Sequence, residues 1–384
     1  MAESINLNEA KKIILKNQLL ESANKYNNKS ELYLIIKKLG YIQIDTISVV
    51  ERSHHHILWS RMPEYKSNML TDLLEKDKLI FEYWSHAASY LPMTDYKYSL
   101  IRKNNFSKKN KTWGEANKKT IKMVYNRIKS DGPLQSKDFD DKKKGSSGWW
   151  NWKPSKDALD YLFHSGKLMI SKRIGFQKVY DLAERILPDS TDINIPSEKE
   201  FYKYLILNSI SSFGISKQSE IMYLRKYDRK IFAKVIKNLL DEKLIVEVKI
   251  FGFDNDIYYS SILNLAQLNS EKNTNLIHIL SPFDNFIIQR KRIKELFEFD
   301  FQIECYLPQS KRKYGYFCLP VIYGDKFIGR LDAKAHRSAK LFQINNFFPE
   351  DKISMKSNVL KSYFKKLEEM KSFVGCDEIK GLNK

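Results

Sequence analysis

The tripeptide Gln43-Ile44-Asp45 places an amide and a carboxylate two residues apart, in a segment that alternates apolar and polar residues from Tyr41 onward. In a β-strand successive side chains point to opposite faces, so Gln43 and Asp45 share one face with Cα atoms about 7 Å apart. A carboxylate can transfer a proton and an amide can orient a hydrogen-bonded group, so the pair is a candidate for acid–base chemistry. Two ordinary explanations stay open: the polar face of a half-buried strand, or an Asp45 cap on the following helix.

The histidines offer a second candidate chemistry. The run His54, His55, His56 suggests a metal site, but on a helix neighbouring side chains diverge by about 100 degrees and do not share one ion. We expect instead that the run, and His54 in particular, contacts the surface or groove of a phosphate-rich partner. His86 follows Tyr83-Trp84-Ser85, and a histidine beside bulky aromatics is more often structural than functional.

Three scattered cysteines without a Cys-x-x-Cys pair predict reduced thiols.

Short regular elements are predicted to hold the tripeptide in place. Apolar residues follow helical spacing over 32–39, and Gly40 stands where a glycine commonly ends a helix. The alternation over 41–45 then predicts a strand, and Ser48-x-x-Glu51 has the spacing of a capping box for another helix. The predicted order is helix, strand, helix.

The chain is strongly basic. Its 384 residues carry 66 Lys and Arg against 46 Asp and Glu, a formal charge of +20. This charge predicts a polyanionic partner, nucleic acid before a membrane surface, although an AT-rich genome would also enrich lysine. Residues 101–130 contain ten Lys or Arg and one acid, Glu115, so nearly half of the net charge lies there. The stretch 102–111 is polar without periodicity and predicts an exposed loop, either a solvated linker or a phosphate contact.

Two segments repeat one pattern, in which an amphipathic helix leads into a strand and then a hairpin. They read LFHSGKLMI at 162–170 and LLDEKLIV at 239–246. A helix followed by a two-stranded hairpin is typical of a winged helix, so the repeat indicates a tandem array. From about residue 276 short strands alternate with turns, which predicts a small antiparallel barrel, and 353–373 is predicted to be a closing helix.

Two further segments mix cations with aromatic residues. The segment 149–156 holds three tryptophans together with Lys153 and Lys156, and fits stacking on bases, contact with phosphates, or a plug between domains. Lys311-Arg312-Lys313 lies at the base of a predicted hairpin, where it suits either a groove probe or a charged edge that blocks aggregation.

Motifs of several function classes are missing from the sequence. It contains no Walker P-loop, no Gly-x-Gly-x-x-Gly, no His-Glu-x-x-His and no Gly-x-Ser-x-Gly. Nucleotide hydrolysis, dinucleotide redox chemistry and zinc hydrolysis therefore lose their usual support. The N-terminus lacks the apolar core of a signal peptide, and no stretch of about 18 apolar residues occurs, so we expect a cytoplasmic protein that does not enter a membrane.

Five separated segments, in order along nearly the whole chain, resemble the bacterial winged-helix DNA glycosylases of the AlkZ/YcaQ family. They are LGYIQIDTISVVERSHHHILWSR, YWSHAASYLP, WWNWKPSKDALDYLFHSGKLMISKRIGFQKVYDLAERILP, LSPFDNFIIQRKR and KRKYGYFCLPVIYGDKFIGRLDAKAHR. The resemblance implies an α+β fold of three tandem winged helices (helix-turn-helix domains) plus a C-terminal antiparallel β-barrel, with a concave DNA-binding surface. The implied domains are 1–105, winged helix 1 with the catalytic strand; 106–190, basic linker and winged helix 2; 191–272, winged helix 3; and 273–384, β-barrel with a C-terminal helix.

The resemblance also implies a reaction, hydrolysis of the N-glycosidic bond of N7-alkylated purines, including the unhooking of interstrand crosslinks. The family's signature, Gln, an aliphatic residue and then Gln or Asp, falls on Gln43, Ile44 and Asp45, which indicates the Asp-bearing, YcaQ-like branch. A cationic alkylated base leaves readily, so Asp45 is expected to act as general base and to stabilise the oxocarbenium-like sugar while Gln43 orients the water. No lysine nucleophile is evident, which predicts a monofunctional enzyme without cofactor or metal.

The partner implied is double-stranded DNA carrying alkylated or crosslinked purines, bound by a monomer in the nucleoid. The predicted DNA contacts are His54, Lys108, Lys109, Lys118, Lys119, Lys153, Lys156, Arg173, Lys311, Arg312 and Lys313. The triple histidine is not general to the family, and Gln289 stands where an acidic residue is often found, which argues against a catalytic barrel. The competing hypotheses are a non-enzymatic winged-helix transcription regulator and a structural or RNA-binding protein whose charge reflects codon usage.

Overall fold

The computed structural model describes residues 3–21, 26–139, 154–266, 268, 276–350 and 356–381, and it has the mixed α+β fold expected. The helices are α1 Leu7–Asn17, α2 Lys29–Leu39, α3 Ser53–Trp59, α4 Ser67–Glu75, α5 Tyr96–Lys109, α6 Lys111–Ala116, α7 Lys118–Asp131, α8 Pro154–His164, α9 Ala183–Ile186, α10 Glu198–Phe213, α11 Gln218–Ile221, α12 Arg229–Asp241, α13 Ile262–Ala266, α14 Arg290–Phe297 and α15 Ser357–Phe373. The strands are β1 Glu3–Ile5, β2 Ile42–Gln43, β3 Ile80–Trp84, β4 Ala88–Pro92, β5 Leu134–Gln135, β6 Leu168–Ile174, β7 Gln177–Leu182, β8 Ile215–Lys217, β9 Val246–Ile250, β10 Tyr258–Ser260, β11 Ile277–Ile279, β12 Leu319–Tyr323, β13 Lys326–His336, β14 Leu341–Pro349 and β15 Glu378–Lys380.

The chain forms two compact units. Unit 1 comprises Met1–Tyr65, His86–Ala88 and Tyr202–Lys384, and unit 2 comprises Lys66–Ser85 and Ser89–Phe201. The candidate tripeptide and His86 therefore belong to unit 1, whereas the basic segment 101–130 belongs to unit 2. The four domain boundaries expected from the sequence stay a prediction.

The helix before the tripeptide ends where the sequence predicts. Asn28 caps α2 by accepting from the backbone N–H of Glu31, whose carboxylate accepts in return from the backbone N–H of Asn28. Gly40 ends the helix in the left-handed conformation, with φ of 78°. The strand that follows is shorter than predicted, because regular pairing covers only Ile42 and Gln43.

The predicted capping box Ser48-x-x-Glu51 is wrong. Helix α3 begins at Ser53 with Arg52 in the cap position and without a side-chain cap. The carboxylate of Glu51 accepts instead from the backbone N–H of Arg52, over 2.7 Å, and forms an ion pair with Arg337, over 2.9 Å. The carboxylate of Glu51, which the local pattern placed at the start of the helix, is therefore paired with a cation far away in the sequence.

The core of unit 1 packs α1 and α14 against two sheets, with Ile14, Val248, Phe286 and Phe327 among its buried residues. Strands β1, β9, β10 and β8 form a four-stranded sheet in that order. Within it β9 and β10 are antiparallel, with Tyr258 opposite Val248, which confirms the second predicted hairpin.

Strands β11 to β15 form a curled half-barrel sheet in sequence order. A short turn joins β12 to β13, with Gly324 at a φ of 57°. Strand β15 runs parallel to β14, so the sheet is not purely antiparallel as predicted. The closed barrel is not confirmed, because β11 and β15 are the edge strands of this sheet in the described residues. Helix α15 confirms the predicted closing helix.

Unit 2 contains the first predicted hairpin, β6 and β7, with β5 pairing beside β7. The loop predicted over 102–111 is wrong, since most of it lies on α5. Helix α5 buries Tyr96, Ser99 and Lys103 at helical spacing. The whole side chain of Lys103, its Nζ included, lies in this buried face, and a pattern that counts every lysine as polar misses such a helix. In the described part of the chain, no helix is long and apolar enough to cross a bilayer.

Candidate active site and nucleic-acid interface

Gln43 is held in unit 1 by the packing of its neighbours. Ile42 is fully buried and Ile44 nearly so, and the backbone N–H of Ile44 donates to the carbonyl of Ala88 over 2.8 Å. The side chain of Gln43 is itself buried, with 6% of its surface exposed. Its Oε1 lies 3.0 Å from Nε2 of His86. The amide is therefore fixed both by the backbone and by a side-chain hydrogen bond.

Asp45 lies two residues further on, beyond the end of β2. Its carboxylate accepts from the backbone N–H of Ile47 over 2.7 Å. The residue does not cap α3, so the capping alternative is wrong. Burial raises the pKa of Asp45, and hydrogen bonds from the backbone of Ile47 and Thr46 partly oppose that rise. Asp45 is half-buried, and it is thus a carboxylate of increased basicity that solvent still reaches.

His86, for which the sequence favours a structural role, is hydrogen-bonded to Gln43 of the candidate site. Its ring packs edge-on against Tyr41, with centroids 5.0 Å apart, and against Tyr223, with centroids 5.9 Å apart. Burial lowers the pKa of His86 to about 4, and the charge of Arg225 adds to that effect. The imidazole is therefore neutral near pH 7. Only its place in the YWSHAASYLP segment pointed to it, because its partner Gln43 is 43 residues away.

A second segment of unit 1, which contains Cys305 and Tyr306, lies close enough to Asp45 for its charge to affect them. Burial raises the pKa of Cys305, and the nearby charge of Asp45 adds to that rise. Burial also raises the pKa of Tyr306, with further contributions from Cys305 and Asp45. Tyr306 is 72% exposed. An exposed aromatic ring near a half-buried carboxylate is a suitable surface for a stacked base.

The basic segment 101–130 presents most of its charge on the surface of unit 2, and Lys103 is the buried exception among its described cations. The four lysines predicted to contact DNA there are all exposed, two at the end of α5 and two at the start of α7: Lys108, Lys109, Lys118 and Lys119. Lys111, Lys122 and Lys129 are also exposed on α6 and α7. Only Glu115 offsets this charge within the segment. The surface is thus suited to contact a phosphate backbone.

Two of the residues predicted to contact DNA, Arg173 and His54, are largely buried in the fold. Arg173 forms a two-pronged ion pair with Glu82, over 2.6 and 2.8 Å, and its side chain is largely buried. His54 is buried, with 2% of its surface exposed, because α3 is covered on most of its faces. Neither side chain is presented to a ligand as the sequence suggested.

The other predicted contacts fall into three groups. Lys153 and the tryptophans beside it lie outside the described residues, and Lys156 is half-buried on α8. Lys311 and Lys313 are exposed in the segment before β12. Arg312 is partly buried, since it donates to the carbonyl of Leu307 and lies over the ring of Tyr316.

The histidine run does not form a metal site. His55 is hydrogen-bonded to the hydroxyl of Tyr65 over 2.6 Å, and His56 is hydrogen-bonded to the carbonyl of Ile279 over 2.8 Å. Burial lowers the pKa of both rings. Among the described residues, no group of three or more His, Cys, Asp and Glu is placed to hold a metal ion.

Comparison with known proteins gives the fold and the family of the chain. The fold is similar to the solved structure of Streptomyces sahachiroi DNA glycosylase AlkZ, with a TM-score of 0.65 over 98% of each chain and 13% sequence identity. At this identity the likeness establishes a shared fold. A family model described as DNA glycosylase AlkZ-like matches residues 36–359, a range that includes Gln43, Asp45 and His86. The chain therefore belongs to the AlkZ-like DNA glycosylase family.

Proposed function

We propose that this chain is a monofunctional glycosylase that hydrolyses the N-glycosidic bond of N7-alkylated purines in duplex DNA. In this proposal Asp45 is the general base and Gln43 orients the water. The observation that carries the proposal is a half-buried carboxylate two residues after a buried, hydrogen-bonded amide. Both residues lie within the part of the chain that the family model matches.

The reaction needs a base and a stabilised cation rather than a strong acid. The water oxygen bonds to C1′ of the deoxyribose as the bond from C1′ to the base nitrogen breaks, and that electron pair neutralises the positive charge of the alkylated purine. Asp45 accepts a proton from the water and stabilises the developing positive charge of the sugar. The products are the neutral alkylated base and an abasic site. The raised pKa of Asp45 supports the role of base.

The proposal of monofunctional chemistry rests on the groups around the pair. Among the described residues, no lysine forms a hydrogen bond or an ion pair with Gln43 or Asp45. A lysine nucleophile would form an imine with the sugar that borohydride reduces to a stable protein–DNA adduct. We expect no such adduct when the protein is mixed with alkylated duplex and borohydride.

We further propose that the enzyme accepts crosslinked purines. A base tethered to the opposite strand cannot swing alone into a closed pocket. A carboxylate that solvent reaches, with the exposed ring of Tyr306 near it, suits such a substrate better than a fully buried one. The exposed lysines of 101–130 are proposed to bind the phosphate backbone of duplex DNA.

The direct test is release of the base from a duplex with a single N7-methylguanine, followed by cleavage of the abasic site with alkali. A glycosylase converts this duplex and leaves the unmodified duplex intact, and a parallel duplex with an N7-linked crosslink tests unhooking. A non-enzymatic regulator binds one sequence much more tightly than random duplex and leaves the modified base in place. That second result would contradict the proposal.

A further inference from the structure

We propose that His86 is a positioning residue that fixes the amide of Gln43 for catalysis, an inference that rests on the proposed glycosylase function. Nε2 of His86 lies 3.0 Å from Oε1 of Gln43. Because a carbonyl oxygen only accepts hydrogen bonds, Nε2 carries the proton and the imidazole is the donor. His86 thereby sets which end of the Gln43 amide faces a bound molecule.

The imidazole is itself held in place by two aromatic rings. Tyr41 and Tyr223 both meet the His86 ring edge-on. The hydroxyl of Tyr223 donates to the carbonyl of Ile288 over 3.2 Å, so the second ring is anchored to the backbone. A ring packed on two sides loses little rotational freedom when it donates to Gln43, which makes it a rigid support for the amide.

The hydrogen bond determines what Gln43 offers to water. With Oε1 bound to His86, the amide nitrogen has no hydrogen-bond partner among the described residues. Its N–H groups can donate to the water oxygen, and the hydrogens of that water then point toward an acceptor. Asp45, two residues away, is the acceptor that the reaction requires. A rotated amide would present its carbonyl instead and hold the water in the wrong sense.

The charge state of His86 also suits the substrate. Burial lowers the pKa of His86 to about 4, with Arg225 as the charged group that contributes, so the donor is uncharged at pH 7. An alkylated purine is cationic and the sugar becomes cationic in the transition state, so a second positive charge beside Gln43 would oppose the reaction. Neutral imidazole supplies the hydrogen bond without that repulsion.

The test compares three substitutions of His86 in single-turnover base release, with DNA affinity and thermal melting measured in parallel. His86→Phe keeps an aromatic ring without a donor, His86→Gln restores a donor near the Nε2 position, and His86→Asn carries the same amide on a shorter side chain. We expect the Phe and Asn variants to lose about 10- to 100-fold in rate with unchanged DNA affinity, and the Gln variant to recover most of it. If His86→Phe unfolds at a much lower temperature than the parent, the rates of His86→Gln and His86→Asn are compared instead, since they differ in whether the amide reaches the Nε2 position.

A double-mutant cycle with Gln43→Ala separates positioning from a merely structural role. If His86 acts through Gln43, His86→Phe slows the parent enzyme but changes the Gln43→Ala enzyme by less than about twofold. Equal effects in both backgrounds, or a His86→Phe enzyme as fast as the parent, would overturn the inference while leaving the glycosylase proposal intact.

A measurement without DNA keeps the inference testable even if no base is released. Nitrogen-15 NMR of labelled histidines at pH 7, with His86→Gln to assign the signals, reports the tautomer directly. We expect a neutral ring protonated at Nε2, with a shift that changes in Gln43→Leu. A ring protonated at Nδ1, or a doubly protonated ring, would overturn the inference independently of activity.

Discussion

Arg61 and Asp284 form an ion pair in unit 1 in which neither side chain is exposed to solvent. Nη2 of Arg61 donates to Oδ1 of Asp284 over 2.8 Å, and Nη1 donates to the second carboxylate oxygen. Nε of Arg61 also donates to the carbonyl of Gln18, and the carboxylate accepts from the backbone N–H of Phe286. The pair ties the segment after α3 to the segment before α14.

Removal of either partner of this pair is expected to destabilise the protein. Arg61→Met leaves a buried carboxylate without its cation, which should cost about 3–5 kcal/mol in the free energy of unfolding. The double variant Arg61→Met/Asp284→Leu should lose less than the sum of the two single variants, because it leaves no charge unpaired. Urea denaturation measures all three, with the exposed pair Lys237 and Asp241 as the matched control.

The control pair Lys237 and Asp241 differs from Arg61 and Asp284 in its exposure to solvent. Lys237 and Asp241 are 3.0 Å apart but mostly exposed, so the same substitutions there should change the stability by about 0–1 kcal/mol. Equal losses at the two pairs would show that burial does not set the strength of the Arg61–Asp284 pair.

Lys103 predicts an unusual dependence of stability on pH. Its Nζ lies 3.8 Å from the ring centre of Tyr96 and 4.7 Å from that of Tyr83, and has no hydrogen-bond partner among the described residues. Burial lowers the pKa of Lys103 from 10.5 to about 7. Between those two values the unfolded chain binds the proton more tightly, so stability rises with pH and is lost as pH falls through the lower value. We expect the parent to gain about 2 kcal/mol from pH 7 to pH 9 relative to Lys103→Met.

Urea denaturation of the two proteins at both pH values checks this prediction. Lys103→Met should also be the more stable protein at pH 7, since it removes the cost of a buried charge. Lys109→Met, an exposed lysine of the same helix, should show the pH profile of the parent. A parent and a Lys103→Met protein with parallel profiles would contradict the account of Lys103.

The exposed lysines of α7 predict the salt dependence of DNA binding. Loss of two phosphate contacts in Lys118→Gln/Lys119→Gln should reduce the slope of log affinity against log salt concentration by about 2, with little change in sequence preference. Lys361→Gln/Lys365→Gln removes the same charge from exposed positions on α15 and is expected to leave the slope unchanged. Equal slopes for the two variants would exclude a specific role for the basic segment. Fluorescence anisotropy over a salt series measures both.

The raised pKa of Asp45 predicts the acid limit of catalysis. A general base works only when deprotonated, so the single-turnover rate should rise with pH and level off above the pKa of Asp45. Because burial raises that pKa, the rate should begin to fall at a higher pH than an ordinary aspartate, with its value of 3.8, would allow. A rate that stays constant down to pH 4 while the protein remains folded would contradict this role.

Local patterns in the sequence predict the local structure around the site. The end of α2 at Gly40 and the hairpins β6–β7 and β9–β10 follow from residue spacing and turn chemistry, which neighbours in the chain determine. Helix α5 was not predicted because its buried face includes the whole side chain of Lys103, which a pattern of apolar residues counts as polar.

Long-range contacts account for what the sequence could not predict. Arg173 was expected to bind DNA, but Glu82 lies 91 residues away and neutralises it inside unit 2. The hydrogen bond between His86 and Gln43 likewise joins two residues that no spacing rule connects. The tripeptide itself was identified from the sequence, whereas the end of the strand before Asp45 and the support behind Gln43 needed the fold.

The most direct test of the central claim is the single-turnover rate of base release from a duplex with one N7-methylguanine, compared between the parent and Asp45→Asn. We expect a loss of about 100- to 1000-fold for Asp45→Asn at unchanged DNA affinity. Asp325→Asn, the same change in the turn between β12 and β13, is predicted to retain the parent rate. An Asp45→Asn protein that binds the duplex and releases the base as fast as the parent would contradict the account.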